Sequence, residues 1–139
     1  MIRTDLYNLE TIQPMMKNNM LEWLGIEITS FDEKCVYGKM PVDQRTHQPM
    51  GLLHGGASVV LAETLGSLGG QLCLEGKNKY CVGLEINANH IRSVKSGYVY
   101  GKAEIIHSGK KTQIWEIKIT NEEEKLVCIS RLTLSVIEA

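Results

Sequence analysis

The sequence predicts an α+β domain in which an antiparallel β-sheet wraps around one long central helix. Three observations predict it. Between Gly51 and Leu74 there is no Lys, Arg or Asp and a single acid, Glu63, so a helix there is apolar nearly all round and has to be covered. The following half of the chain holds four strand-like runs at close spacing, with turn signals between them. The length, 139 residues with 43% apolar and 22% charged side chains, fits one domain spanning 1–139.

Taken in order, the first 24 residues have helical spacing, with Leu9, Ile12, Met16, Met20 and Leu24 recurring. Gly25 is the expected stop. Ile26 to Met40 is strand-like, bent near Asp32 to Lys34, and Pro41 ends it. Val42 to Leu53 is a long connection. The central helix is expected over His54 to Glu75. Two glycines open it, Gly66, Gly69 and Gly70 interrupt it, and a carboxylate sits in mid-span, which favours a core helix over a membrane span. The four strands then run over Val82 to Arg92, Gly97 to His107, Thr112 to Thr120 and Leu126 to Ile137. The third alternates cleanly, with Trp115, Ile117 and Ile119 on one face and Glu116, Lys118 and Thr120 on the other.

Several classes are disfavoured at once. Fifteen basic against 16 acidic residues give a net charge of −1, no footing for bulk nucleic-acid binding. The four cysteines form no C-x-x-C pair, and no apolar leader opens the chain. Free thiols and a cytoplasmic location are expected. His47, His54, His90 and His107 lack helical i, i+4 spacing, so no zinc site is expected. No G-x-S-x-G is present, and the basic turn at 107–112 lacks the P-loop frame.

Glu63 is the first candidate for chemistry. A carboxylate among Val59, Val60, Leu61, Ala62 and Leu65 is expected to be partly withdrawn from water, a setting suited to a base or nucleophile. The alternative is a narrow solvent-facing stripe shared with Ser67 and with Gly70 or Gln71. His54-Gly55-Gly56 is the second. Two glycines entering a helix leave N–H groups bare at the positive end of its dipole, able to polarise a carbonyl; otherwise they form a tight turn only. Glu63 lies eight residues past Gly55, about 12 Å along a helix, too far for one carbonyl carbon to meet both. Either one is not catalytic, or the second comes from another subunit. Two such helices packed across a two-fold axis, with Gly66, Gly69 and Gly70 permitting close approach, would give a homodimer with shared active sites.

The run Glu85-Ile86-Asn87-Ala88-Asn89-His90-Ile91-Arg92 is too polar for an ordinary core strand. It is either a protected edge or the lining of a cleft at an interface. The turn His107-Ser108-Gly109-Lys110-Lys111-Thr112 is a solvated hairpin or a phosphate holder.

The stretch from Met40 to Ser67, with its H-G-G-x₆-E spacing, and V-G-L-E-I-N-A-N-H-I-R from Val82 to Arg92 resemble the hotdog-fold thioesterases. The branch is that of the Arthrobacter-type 4-hydroxybenzoyl-CoA thioesterases and the bacterial 1,4-dihydroxy-2-naphthoyl-CoA hydrolases of menaquinone synthesis. The likeness runs over nearly the whole chain. It implies two protomers paired into one continuous sheet, commonly as dimers within a homotetramer. It also implies a thioester carbonyl bound by the Gly55 N–H, with Gln48 and His54 orienting the thioester or the water. Glu63 from the other subunit would be general base or nucleophile, and Ser67 would assist. The coenzyme A arm would be held by Gly83, His90, Ile91, Arg92 and Ser93, and by His107, Ser108, Gly109, Lys110, Lys111 and Thr112. The turn departs from the pattern in carrying lysines where an arginine is common, which gives point charges without a bidentate fork. No metal or redox cofactor is implied, because coenzyme A is part of the substrate. The expected activity is acyl-CoA hydrolysis, with an aromatic acyl group first. A hotdog hydratase or dehydratase and a non-catalytic acyl-CoA-binding module are the alternatives, and no membrane or nucleic-acid partner is expected.

Overall fold

The computed structural model describes residues 1–139. One six-stranded antiparallel sheet carries the fold: β1 (Glu27–Phe31), β2 (Cys35–Pro41), β3 (Lys79–His90), β4 (Tyr98–Ser108), β5 (Thr112–Thr120) and β6 (Leu126–Glu138), in the spatial order β1-β2-β4-β5-β6-β3. Three helices precede or interrupt it: α1 (Leu9–Ile12), α2 (Met20–Trp23) and the long α3 (Gly55–Leu72). The sheet curls around α3, and their facing surfaces form the core. Leu61, Leu65 and Leu72 of the helix pack with Trp115, Ile117 and Ile119 of β5 and Leu132 and Leu134 of β6, all buried. No helix is long and apolar enough to cross a membrane.

Three expectations need correction. The first 24 residues are not one helix. Asn8 caps α1 in a reciprocal pair with Thr11, and a 3₁₀ turn over Gln13–Met16 carries Pro14 in its first turn. Asn18 then takes a left-handed φ of 59°, and Asn19 caps α2 through the Leu21 N–H. Proline removes a helical donor, and asparagine bonds its own neighbouring backbone well enough to compete with a helix. The four-residue spacing survives only as packing, with Ile12 and Met16 buried and Met20 half-exposed.

The bent strand from Ile26 to Met40 is a hairpin of two strands. Asp32 Oδ1 accepts from the Lys34 and Cys35 N–H groups at 2.8 and 2.9 Å, which reverses the chain. The sheet therefore has six strands, one more than expected.

The glycines of α3 face the molecule's own sheet, not a second helix. A methyl group on Gly66 would meet Leu132 at 2.6 Å, and one on Gly69 would stand 2.5 Å from the Trp115 ring. Gly70 lies against Leu134 in the same way. The missing side chains let the helix settle deep into the sheet. Gln113 completes the contact: buried, it accepts from the Trp115 indole N–H at 3.0 Å and donates to the Gly70 carbonyl at 3.3 Å. Both polar groups of an otherwise apolar layer are thereby satisfied.

Gly69→Ala is expected to destabilise the protein by about 1–3 kcal/mol through overpacking against Trp115. Alanine's better helix propensity, worth up to ~1 kcal/mol, offsets only part of that. The check is a lower urea midpoint at unchanged m-value; equal or raised stability would show that the helix–sheet contact has room to spare.

Candidate active site

The connection between β2 and α3 is built to hold one end of the helix. The buried Thr46 hydroxyl donates to the Pro41 carbonyl at 2.8 Å, and the Thr46 carbonyl accepts from the His54 N–H at 2.8 Å. The Leu53 N–H reaches the Val94 carbonyl at 2.8 Å, and His47 Nε2 lies 2.9 Å from the Lys95 carbonyl. Between these anchors the chain turns tightly over Gln48 to Leu52, with Gly51 at a φ of 76°. The Gln48 Oε1 accepts the Met50 N–H. That assigns the oxygen and leaves both Nε2 hydrogens free to donate.

At the helix start, the first N–H groups are unequally used. His54 is the N-cap, and its Nδ1 accepts the Gly56 N–H at 2.8 Å. The Ala57 and Ser58 N–H groups both reach the His54 carbonyl. The Gly55 N–H alone has no acceptor within the chain, and the helix dipole adds to its pull on an oxygen. Because a backbone N–H donates to Nδ1, the ring proton of His54 sits on Nε2.

A cavity of about 340 Å³ opens beside this donor, lined by Gln48, Gly55, Ser58, His90, Ile91, Arg92 and Ser93 among others. His90, at the end of β3, lies over Gly55: a methyl group there would stand 2.8 Å from Nε2. Six of the expected site residues therefore meet at one place, brought together from two segments far apart in sequence. The exposed Arg92 guanidinium reaches the Leu126 carbonyl with one nitrogen at 3.4 Å.

Glu63 and Ser67 are elsewhere. They line a second cavity, of about 490 Å³, that shares no residue with the first. Both belong to the half-buried stripe Glu63, Ser67 and Gln71, so the narrow solvent-side stripe is real, with Gln71 and not the buried Gly70 as its third member. The Glu63 carboxylate lies against β3 at Gly83, where any Cβ would overlap it. Gly83 thus makes room for the carboxylate of its own chain. Leu84 bulges out just beyond, where the β3–β6 register shifts.

The basic turn lies at yet another place. Thr112 pairs with Ser135, which pairs with Val82, whereas His90 pairs with Cys128, which pairs with Ile119, at the other end of the sheet. Within one chain, residues 107–112 and the Gly55 cavity are therefore at opposite ends. The cysteines add nothing to the chemistry: all four are free, and burial pushes each thiol up, Cys81 to about 11. They stay protonated at neutral pH and are poor nucleophiles.

With Phe31 the only phenylalanine, methionine, tyrosine and tryptophan are the expected sources of contact to an aromatic acyl ring, but the sequence did not show which methionines. The second cavity is walled on its far side by Met15, Met16, Met20 and Leu21 of the N-terminal arm. A continuous helix would have kept Met16 and Met20 on one face and turned Met15 and Leu21 away from it, so only the break at Asn18 could have pointed to the four together.

Comparison with known proteins agrees with this fold. Residues 50–128 match the thioesterase superfamily. The chain is 49% identical to the 1,4-dihydroxy-2-naphthoyl-CoA hydrolase of Escherichia coli over 129 residues, 93% of this chain and 94% of that one. The crystal structure of a thioesterase from Haemophilus influenzae superposes with a TM-score of 0.91 at 54% identity, covering 95% and 92% of the two chains. A mutant thioesterase from Pseudomonas aeruginosa gives 0.95 at 45% identity, with both chains fully covered. On the family match, the shared hotdog architecture and identities near one half, this chain belongs to the thioesterase superfamily and is a thioester hydrolase.

Proposed function

We propose that the protein hydrolyses an aryl-CoA thioester at a site assembled from two copies of the chain. The observation that carries this reading is the separation of two complementary half-sites. A lone N–H donor with Gln48 and His90 stands at one end of α3, and a carboxylate stands two turns on, over Gly83. Neither half suffices for acyl transfer.

An open edge supplies the means of joining them. β3 is a 12-residue strand at the border of the sheet with exposed Val82 and Leu84, and such an edge invites a partner strand. Gly83 and His90 are seven positions apart along it. Antiparallel pairing of two β3 strands about an axis near Ile86 and Asn87 sets each chain's Gly83 region beside the other's His90 region. Glu63 of one copy then faces Gly55 and Gln48 of the other. The basic turn of that same copy comes into the row of His90, about 14 Å away across three strand spacings. Lys110 and Lys111 there, with Arg92, suit the phosphates of coenzyme A. Tyr98 and Tyr100 at one end of the sheet and the opposed pair Tyr80 and Ile137 at the other, all exposed on the outer face, offer apolar contacts through which such dimers could associate into a tetramer.

The chemistry follows from the placement. The Gly55 N–H and Gln48 Nε2 draw charge onto the thioester oxygen. Glu63 of the opposing copy takes a proton from water, and the resulting hydroxide adds to the carbonyl carbon. The C–S bond then breaks, and the thiolate recovers the proton from Glu63, leaving free acid and CoA-SH. Alternatively Glu63 adds directly, expels the thiolate and forms a mixed anhydride that water opens. In a single turnover in ¹⁸O-water, solvent label in Glu63 would establish the second route, with water opening the anhydride at the Glu63 carbonyl; label in the free acid alone fits the first route and an anhydride opened at the acyl carbon. The relative in Escherichia coli makes 1,4-dihydroxy-2-naphthoyl-CoA the first substrate to try.

Glu63→Gln is expected to lower thiol release from aryl-CoA thioesters by ~10³ or more, about 4 kcal/mol of transition-state stabilisation. Equal rates would remove Glu63 from the reaction. Gly55→Pro removes the donor, since proline is tolerated in the first helical position yet has no N–H; Gly55→Ala, which puts the same Cβ against His90 but keeps the N–H, is its control. When the Gly55→Pro and Glu63→Gln chains are unfolded together and refolded in equal amounts, random pairing restores about a quarter of wild-type activity through mixed dimers. No recovery despite mixed dimers would exclude a shared site. His54→Ala should cost about 1 kcal/mol of stability and lower kcat, whereas His54→Asn, an efficient cap, should retain both. Denaturation and steady-state kinetics on the same samples check this, and equal loss of kcat in both variants would give the imidazole a role beyond capping.

A further inference from the structure

We infer that the N-terminal arm, residues 13–24, is the wall that selects the acyl group, and that its methionines favour a flat aromatic ring over an alkyl chain. The inference rests on the proposed active site and names which part of the substrate each cavity takes. The reacting carbonyl has to lie between the Gly55 donor of one copy and Glu63 of the other. One substituent of that carbonyl therefore enters the first cavity, the other the second. The first opens beside Arg92 and Ser93 and is flanked by exposed histidine, which suits the polar, anionic coenzyme A arm. The second holds no cation, and its far wall is Met15, Met16, Met20 and Leu21. Phosphates have no partner there, so it takes the acyl group.

The arm is shaped for this. In a continuous helix Met15 and Met20 would point about 140° apart. Asn18 breaks the helix with its left-handed φ of 59°, its N–H donating to Glu22 Oε2 at 2.7 Å. Asn19 spans the break, donating from Nδ2 to the Met15 carbonyl at 2.8 Å and accepting the Leu21 N–H at 3.1 Å. The result turns Met15, Met16, Met20 and Leu21 onto one cavity. Thioether sulfurs make favourable contacts with aromatic edges, and unbranched methionines adapt to ring shape. The cavity volume of about 490 Å³ lies within the usual range for small-molecule sites. On the helix side, Gln71 is already engaged, donating to the Lys79 carbonyl and accepting the Cys81 N–H. It therefore forms a fixed floor.

The test compares benzoyl-CoA with hexanoyl-CoA for wild type and for the double variant Met15→Ala/Met20→Ala. Both methionines are about half exposed, 49% and 51%, so the fold should tolerate their loss. The ratio of kcat/KM for the aryl over the alkyl substrate is expected to fall about tenfold, carried by the aryl KM, with kcat changing less than about twofold. The double variant Met15→Leu/Met20→Leu, which keeps the bulk and removes the sulfur, should fall between the two. It also serves as the test should the alanine protein prove unstable. A folded variant with an unmoved ratio, or a kcat loss equal for both substrates, would overturn the assignment of the arm and leave the thioesterase site standing. No thiol release by the wild type from either substrate would overturn both.

Discussion

A straight α-helix cannot fold back on itself, and that constraint governs this molecule. α3 presents its one free N–H at Gly55 and its one carboxylate at Glu63, about 12 Å apart along the axis. Thioester hydrolysis needs an electrophile-polarising donor and a base within a few ångströms of one carbon. The rigidity that orients each group also keeps them apart within the chain. In the proposed dimer, pairing two helices in opposite directions would resolve this without bending either. The open β3 edge, the Gly83 gap beneath Glu63 and the polar strand end at His90 would then be parts of one arrangement.

The orientation of α3 depends in turn on how deeply it sits. Gly66, Gly69 and Gly70 bring its backbone against Leu132, Trp115 and Leu134, and Gln113 ties the Trp115 indole to the Gly70 carbonyl. That layer fixes the helix in rotation as well as depth. Its apolar face is turned to the sheet, leaving Glu63, Ser67 and Gln71 on the half-buried side beneath the methionine arm. The stability of the core and the aim of the functional groups are thus two consequences of one contact. A side chain that lifted the helix off Trp115 would also move the Gly55 donor away from His90.

Much of this was legible beforehand. The long helix, the four C-terminal strands and their turns could be read from hydrophobic spacing and glycine placement, and the H-G-G-x₆-E spacing singled out Gly55 and Glu63. Periodicity misled where short polar groups outcompete it. Proline and asparagine cut the first 24 residues into turns, and the Asp32 carboxylate reversed what looked like a single bent strand. The glycines of α3 were legible as sites of close approach but not as to what approaches them, because a missing side chain has no address. The union of Gln48 with His90 and Arg92 depends on hydrogen bonds from Leu53 to Val94 and from His47 to Lys95, which join segments about forty residues apart.

What the sequence determined by itself was local: where backbone donors go unused, where a carboxylate stands among apolar neighbours, which segments alternate and which turn. These follow from steric and hydrogen-bonding preferences acting within a few residues. Tertiary structure decided the rest. It turned the glycines inward, placed Gly83 under Glu63, and set the basic turn and the Gly55 cavity at opposite ends of the sheet. It also folded Met15, Met16, Met20 and Leu21 onto the second cavity. Each of these depends on strand order and register, which arise when the whole core closes around α3 and which no short window of sequence contains.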